Sequence, residues 1–397
     1  MRAHRIDASG LLLAAMAILL IAGLVAVYFS IRSNPVAEAL SGNRIVNTLI
    51  VLEKDGKPLG SYVLMYYPQT KRSALFDVPG ELGLIIPSLG RVDRIDALYE
   101  PKRLAPFRDQ VAAVLGIDIP FSVVFDLEAL RNTIDLLGGV DLFITDPVES
   151  FDSSPPVFLP AGAVTLDGDK ALVYATYELV DEDQAEIVAR RQRFVLALIK
   201  RLGERYAYVR SSSVWPLFLS MPRANLDGRA FSHLLYEISE VNTDRVTVQR
   251  VGGNLKEVSG QILLFPYYDG SLIKDIVKQS LASLSRIGEG GSSERVYTVE
   301  VLNGTPSVGL ARKTAELLQG FGYDTVVVAN ADRSDYERTE ILDRSGDAEA
   351  ARVFADVIRC ESIRSEEREA ADGFSLEGGA DFTIIIGKDF DGRYVVR

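Results

Sequence analysis

Residues 11–29, LLLAAMAILLIAGLVAVYF, form an unbroken run of 19 residues without a charge. At a helical rise of about 1.5 Å per residue, such a run reaches across the hydrocarbon core of a bilayer. It predicts one transmembrane helix, with the globular part of the chain built from the residues C-terminal to it. Arg2, His4 and Arg5 precede the run and only Arg32 lies soon after it. That bias keeps the N-terminus in the cytoplasm and places the bulk on the other side of the membrane. A cleaved signal peptide would show about 7–15 apolar residues and a small-x-small exit, whereas this run ends in Val27, Tyr28 and Phe29. The expectation is an uncleaved, single-pass anchor in the cytoplasmic (inner) membrane, with an extracytoplasmic or periplasmic body.

The remaining length of about 360 residues suffices for two or three domains, each with its own core. The formal net charge is −12, with no basic stripe in the sequence. Phosphate-backbone binding requires clustered Lys and Arg, so nucleic acid is excluded as a partner. Cys360 is the only cysteine, which rules out an intramolecular disulfide and a Cys-based zinc cluster. His4 and His233 are the only histidines, too few for a multi-His metal site, and His233 reads as a helix-face residue.

Strand-forming runs IVNTLIVLE, GSYVLMYY and KRSALFDVP, the first two separated by the turn Asp55-Gly56-Lys57-Pro58, predict a hairpin and a third strand. Residues 80–94 read as a loop. A helix ending at Gly116, a strand IPFSVVFD, a helix with Leu127, Leu130, Ile134 and Leu137 on one face, and a strand VDLFITD come next. After a proline-rich loop comes a long amphipathic helix over 181–202, and RAFSHLLYEISEV and LIKDIVKQSLASL add two more. Strands alternating with helices make this an α/β domain. The best linker signal is Gly288 to Ser293. Beyond it, a strand-helix-strand-helix-strand order predicts a second, small α/β module.

Several motifs carry little chemistry. Asn303-Gly304-Thr305 fits a glycosylation acceptor, but a tight turn between strand and helix explains it better. GEGGSS lacks the Lys-Ser or Lys-Thr of a phosphate loop. SEEREAADG reads as a solvated acidic loop. The chain has too many Asp and Glu pairs to select a glycosidase dyad.

The N-terminal anchor, the strand NTLIVL, Pro79 at a strand end, Arg94-Ile95-Asp96-Ala97, the turn Gly116 to Ile119, IDLLGGVDLFI, and LPAGAVTLDGDKALVYATYE followed by RRQRFVLALIKRL together resemble the LytR-CpsA-Psr family of cell-wall assembly proteins. The tail, with VEVLNGT and IIIGKD, resembles the LytR C-terminal module. The resemblance implies a mixed sheet sandwiched by helices over 42–285, a Gly/Ser linker at 286–295 and a C-terminal α/β domain over 296–391. A cytoplasmic segment at 1–10 and the anchor at 11–29 precede them. It further implies transfer of a glycopolymer from a polyprenyl pyrophosphate carrier to peptidoglycan, with magnesium. Arginines would hold the pyrophosphate, because phosphoryl transfer leaves a protein mainly to position groups and neutralise charge.

Much of that inventory is replaced here. Asn47 stands where the resemblance expects an Asp, and is a weak magnesium ligand because hard divalent ions favour carboxylates. Gly80 and Glu81 follow Pro79 where Arg and Asp are expected, and Thr176 and Glu178 replace two arginines. Ala185 and Val188 replace an Asp and an Arg. Arg191 and Gln192 survive, with Arg190 beside them. Each lost charge-assisted contact removes about 1.5–3 kcal/mol, and Glu178 would repel a pyrophosphate.

The leading expectation is therefore a degenerate site in a binding or scaffolding protein of envelope assembly. Its partners would be polyprenyl-linked glycan, peptidoglycan or envelope proteins. The alternative is a divergent phosphotransferase in which Arg190, Arg191 and Glu81, with Arg72 or Arg94, rebuild the anion site, Arg94, Arg191 and Gln192 binding substrate and magnesium accompanying activity. The plain structural reading of Arg190 and Arg191 is a solvated helix face paired with Glu182 or Glu186.

Overall fold

The structure is a computed structural model and describes residues 16, 18–21, 23, 35–41, 44–151, 156–179, 182, 184–285, 297–320, 323–365 and 380–396. The expected membrane span at 11–29 lies mostly outside the described residues, as do the Gly/Ser linker and all but the first residue of the acidic loop. Within the span, Met16 and residues 18–21 are helical and exposed. Among the described residues, no helix is long and apolar enough to cross a membrane.

Helix α1 (Pro35–Ser41) leads into an antiparallel meander of β1 (Val46–Lys54), β2 (Lys57–Tyr67) and β3 (Arg72–Asp77). Asp55 and Gly56 both take positive φ at the first turn, as a tight two-residue hairpin demands. The hairpin β4 (Gly83–Ile86) and β5 (Arg91–Arg94) precedes α2 (Ala105–Leu115). Strand β6 (Phe121–Asp126) pairs parallel to β1, and Asp126 caps α3 (Leu127–Leu136) by accepting from the Ala129 amide. Strands β7 (Val140–Ile144) and β10 (Gly162–Leu166) pair with each other, as do β8 (Val148–Ser150) and β9 (Val157–Leu159). Asp167 caps α4 (Gly168–Thr176), and the long α5 (Gln184–Glu204) comes after it. Next come α6 (Tyr206–Val209), α7 (Trp215–Leu219), β11 (Arg223–Ala224) and α8 (Gly228–Ser239). Strand β12 (Val246–Arg250), the hairpin β13 (Gly253–Val258) and β14 (Gln261–Pro266), and α9 (Ser271–Ser285) complete the body.

The central sheet runs β11-β6-β1-β2-β3-β12. Every residue of β1 from Val46 to Glu53 is buried, because both faces of the sheet are covered. Leu49 and Val51 pack with Phe107 and Val111 of α2 and Ile276 of α9. Ile50 and Leu52 face Leu130 and Ile134 of α3, Phe194 and Leu198 of α5, and Leu234 of α8. Strands alternate their side chains, so a strand buried on both faces reads as one apolar run. The expected helix-sheet-helix sandwich is present. Helix α4 crosses α3 closely at Gly168, where a Cβ would lie 2.5 Å from the Arg131 carbonyl oxygen.

The second module is a five-stranded sheet in the order β16-β15-β19-β17-β18. It contains β15 (Thr298–Asn303), α10 (Leu310–Gly320), β16 (Asp324–Asn330), β17 (Glu340–Asp343), α11 (Ala348–Ile358), β18 (Ile363–Ser365) and β19 (Phe382–Ile386). Asn303 is buried, donates to the Ser307 carbonyl and accepts from the Thr305 amide, so the Asn-Gly-Thr sequence is a turn, as its local chemistry predicts.

The two modules touch. Arg393 Nη1 donates to Ser271 Oγ at 2.7 Å, its other arm pairs with Asp275, and the Tyr268 hydroxyl donates to the Gly392 carbonyl at 2.8 Å. Residues 80–94, read as a loop, carry the β4–β5 hairpin. Short strands with exposed Ile85 and Val92 give no sustained alternation to recognise.

Candidate functional site

A row of charged side chains runs from the carboxyl end of β3 to the amino-terminal half of α5. Asp77 ends β3, lies opposite Tyr62 of β2 and pairs in register with Arg250 of the parallel β12. Its carboxyl is buried, with Oδ2 3.7 Å from Arg250 Nε. Burial pushes the Asp77 carboxyl up to about 7, against the downward pull of Arg250, and neighbouring Glu81 adds to the rise. Arg250 also faces Glu81, Nη2 to Oε1 being 3.9 Å. The buried Nε of Arg250 has no hydrogen-bond partner. Burial, and then the Asp77 charge, raise the Tyr62 phenol far above its ordinary value, so it stays protonated.

Arg191 lies on the Tyr62 side of this row. Its Nε donates to the Ala175 carbonyl at 3.1 Å, Nη1 donates to the Leu59 carbonyl at 3.3 Å, and Nη2 pairs with Glu178. Gln192 donates to the Gln249 carbonyl at 3.4 Å, joining α5 to β12. On the other side, Arg94 makes a two-pronged pair with Asp96, Nε to Oδ1 2.9 Å and Nη2 to Oδ2 2.5 Å, and its charge is further favoured by Glu81. A Cβ at Gly80 would stand 2.9 Å from Asp96 Oδ2, so this pair occupies the space that a side chain at position 80 would need.

Arg190 points elsewhere. It is buried, pairs with Glu182 and lies over the Tyr177 ring at 5.1 Å, while its Nε has no hydrogen-bond partner. It lines a cavity of about 830 Å³ together with Ile144, Val148, Tyr174, Leu179 and Glu186. That size lies within the range of about 300–1,000 Å³ usual for small-ligand clefts.

The structure thus brings together Arg191, Gln192, Arg94 and Glu81, and adds Asp77, Arg250 and Tyr62, which the sequence pattern did not single out. A buried acid closing an apolar strand, LFDVP, was the available signal for Asp77. Arg190 belongs to the cavity side. Thr176 Oγ1 donates to the Leu172 carbonyl at 2.8 Å, and Val188 is half-buried. Asn47 is the second residue of β1, three residues and about 10 Å along the strand before the Ile50 that lies level with Tyr62. Its Nδ2 donates to the Asp118 carbonyl at 2.8 Å. Arg72 donates to the Ser283 carbonyl at 3.1 Å.

A family model described as the LytR_cpsA_psr family matches residues 61–279, more than half of the chain. This chain belongs to the LytR-CpsA-Psr family. A second model, described as LytR cell envelope-related transcriptional attenuator, matches residues 296–390. Among curated proteins, the chain is 25% identical over 154 residues to the polyisoprenyl-teichoic acid–peptidoglycan teichoic acid transferase TagU of Bacillus licheniformis, covering 38% of this chain. It spans about half the length (49%) of that relative. Among solved structures, TagV of B. subtilis superposes with a TM-score of 0.53 at 16% identity, covering 60% of this chain and 98% of that one. TagT bound to LIIa-WTA superposes at 0.51 with 18% identity, covering 61% and 91%. At these identities the two structures establish a shared fold.

In this LytR-CpsA-Psr chain the residues present do not fit a magnesium ion. Magnesium favours carboxylate oxygens free to face it, but Asp77 and Glu81 both face the Arg250 guanidinium, and Asn47, whose buried Oδ1 has no hydrogen-bond partner, offers a neutral amide oxygen instead. Among the described residues, no group of three or more His, Cys, Asp or Glu is placed to hold a metal.

Proposed function

We propose that this LytR-CpsA-Psr protein is a membrane-anchored, extracytoplasmic component of cell-envelope assembly. It binds or scaffolds envelope glycan through a site whose anion-binding arginines are closed by internal ion pairs. The observation that carries this reading is the pairing of two arginines of the charged row with acids close to them in the chain. Arg191 is held by Glu178 and Arg94 by Asp96. A guanidinium already bonded to a carboxylate and to carbonyl oxygens has few donors left for a phosphate. The apolar run at 11–29 supports the anchor, and the family and its TagU relative support the setting in envelope assembly.

A transferase reading draws on the same row, because Arg94, Arg191 and Arg250 lie along it. The deciding experiment supplies the full-length protein in detergent with a polyprenyl-pyrophosphate glycan, peptidoglycan and magnesium. Retention of the glycan without transfer is the expected result. Transfer that Arg191→Ala abolishes would overturn the binding role in favour of the enzyme.

A further inference from the structure

We infer that the face formed by α1, α6, α7 and α8 rests on the headgroup layer of the bilayer crossed by residues 11–29. The inference depends on the anchor proposed above. Helix α1 begins at Pro35, six residues after Phe29. Six residues reach about 20 Å even when fully extended, so the start of α1 lies no more than about 20 Å from the end of the apolar run.

Helix α1 packs on α8 and β1 and buries Val36. Around it lies a hollow of about 750 Å³ lined by Leu40 of α1, by Tyr206 and Arg210, and by His233 and Tyr236 of α8. The surrounding surface has the composition of a membrane interface. Tyr206 meets Tyr236 edge to face, with centroids 5.7 Å apart. Arg210 lies 4.3 Å from the Trp215 ring centroid, and Arg205 lies 6.0 Å from that of Tyr208. Tyr208, Leu217 and Tyr236 are exposed. Tyrosine and tryptophan favour the headgroup level because an apolar ring and a polar tip are both satisfied there.

Charge points the same way. Among the described residues Arg210 and Arg229 form no ion pair with a carboxylate, Arg205 donates to the Leu137 carbonyl at 3.2 Å, and Glu38 of α1 and Glu237 of α8 are the acids of this face. Unpaired arginines beside interfacial aromatics are attracted to anionic lipid.

Trp215 is the only tryptophan, so its fluorescence reports this face without a label. The test reconstitutes the full-length protein into phosphatidylcholine–phosphatidylglycerol vesicles, with or without bromine atoms high on the lipid chains. The expected result is about a twofold loss of emission with brominated lipid, since interfacial side chains reach the headgroup–acyl boundary. Protection from aqueous iodide should accompany it. Tyr208→Glu combined with Leu217→Glu changes two exposed side chains and should abolish the bromine quenching while restoring iodide access. Protein that floats with vesicles yet shows no bromine quenching overturns the docking and leaves the anchor standing. Protein that does not float overturns both.

Discussion

Arg191 of α5 reaches back across the end of α4 to pair with Glu178, the residue standing where the family pattern leads one to expect an arginine. The guanidinium beside Glu178 is turned inward. Glu178 is about half exposed, whereas the Arg191 side chain is largely covered, so the acid is the movable half of the pair. The electrostatic character of the site therefore depends on a residue whose replacement should leave the fold intact.

Glu178→Gln should free one arm of Arg191 and raise the affinity for inorganic pyrophosphate roughly tenfold, the equivalent of about 1.4 kcal/mol. The stability change should stay below about 1 kcal/mol, because exposed pairs contribute little. Titration calorimetry on the full-length protein measures the first quantity. An unchanged affinity would show that Glu178 does not close the site.

The Arg190–Glu182 pair should respond in the opposite way, since both side chains are largely buried. Arg190→Met leaves the Glu182 charge without its partner and is expected to destabilise the main body by about 3–5 kcal/mol. Adding Glu182→Leu should recover most of that loss. Denaturant midpoints of the single and double variants provide the measurement. Equal midpoints for the two would contradict a coupled pair.

Asp77 links stability to pH. Its folded carboxyl is raised to about 7 from an ordinary 3.8, so over that interval the folded protein binds a proton that the unfolded chain has released. Its contribution to stability is full below the ordinary value and is lost as pH rises through about 7. Asp77→Asn should therefore flatten the fall in urea midpoint between about pH 5 and about pH 8. It should also make the variant the more stable protein at the upper end. A slope identical to wild type would mean that Asp77 titrates normally.

Arg393 holds the C-terminal module to the body. It is buried between the Tyr268 and Tyr394 rings, each centroid 4.7 Å from the guanidinium carbon, and bonds to Ser271 and Asp275. Arg393→Ala should loosen this contact while each module keeps its own core. The checks are a larger radius of gyration by X-ray scattering and two separate unfolding transitions. An unaltered scattering profile would place the docking energy elsewhere.

The strands and helices of the body were largely legible from local pattern. The run VNTLIVLE reads as a strand because both faces of β1 are covered, and Gly116 marks the end of α2 because it takes a left-handed conformation, φ 70. The hairpins β4–β5, β8–β9 and β13–β14 and the strands β10 and β12 were missed. Their exposed Ile85, Leu255 and Ile262 break the alternation of apolar and polar residues by which a half-buried strand is recognised. Of the site, Arg191, Gln192, Arg94 and Glu81 were named from the chain. Asp77 and Arg250 were not, because 172 intervening residues separate two positions that only the parallel pairing of β3 with β12 makes neighbours.

By itself, then, the sequence determined the apolar run at 11–29, the α/β alternation and the family pattern. All of these are properties of residues close together in the chain. Tertiary structure alone decided which acid neutralises which arginine. Glu178, Glu182 and Asp96 take Arg191, Arg190 and Arg94, and Arg250 stands before both Asp77 and Glu81. Charge pairing falls off steeply with distance and depends on burial, and both are set by how strands and helices pack.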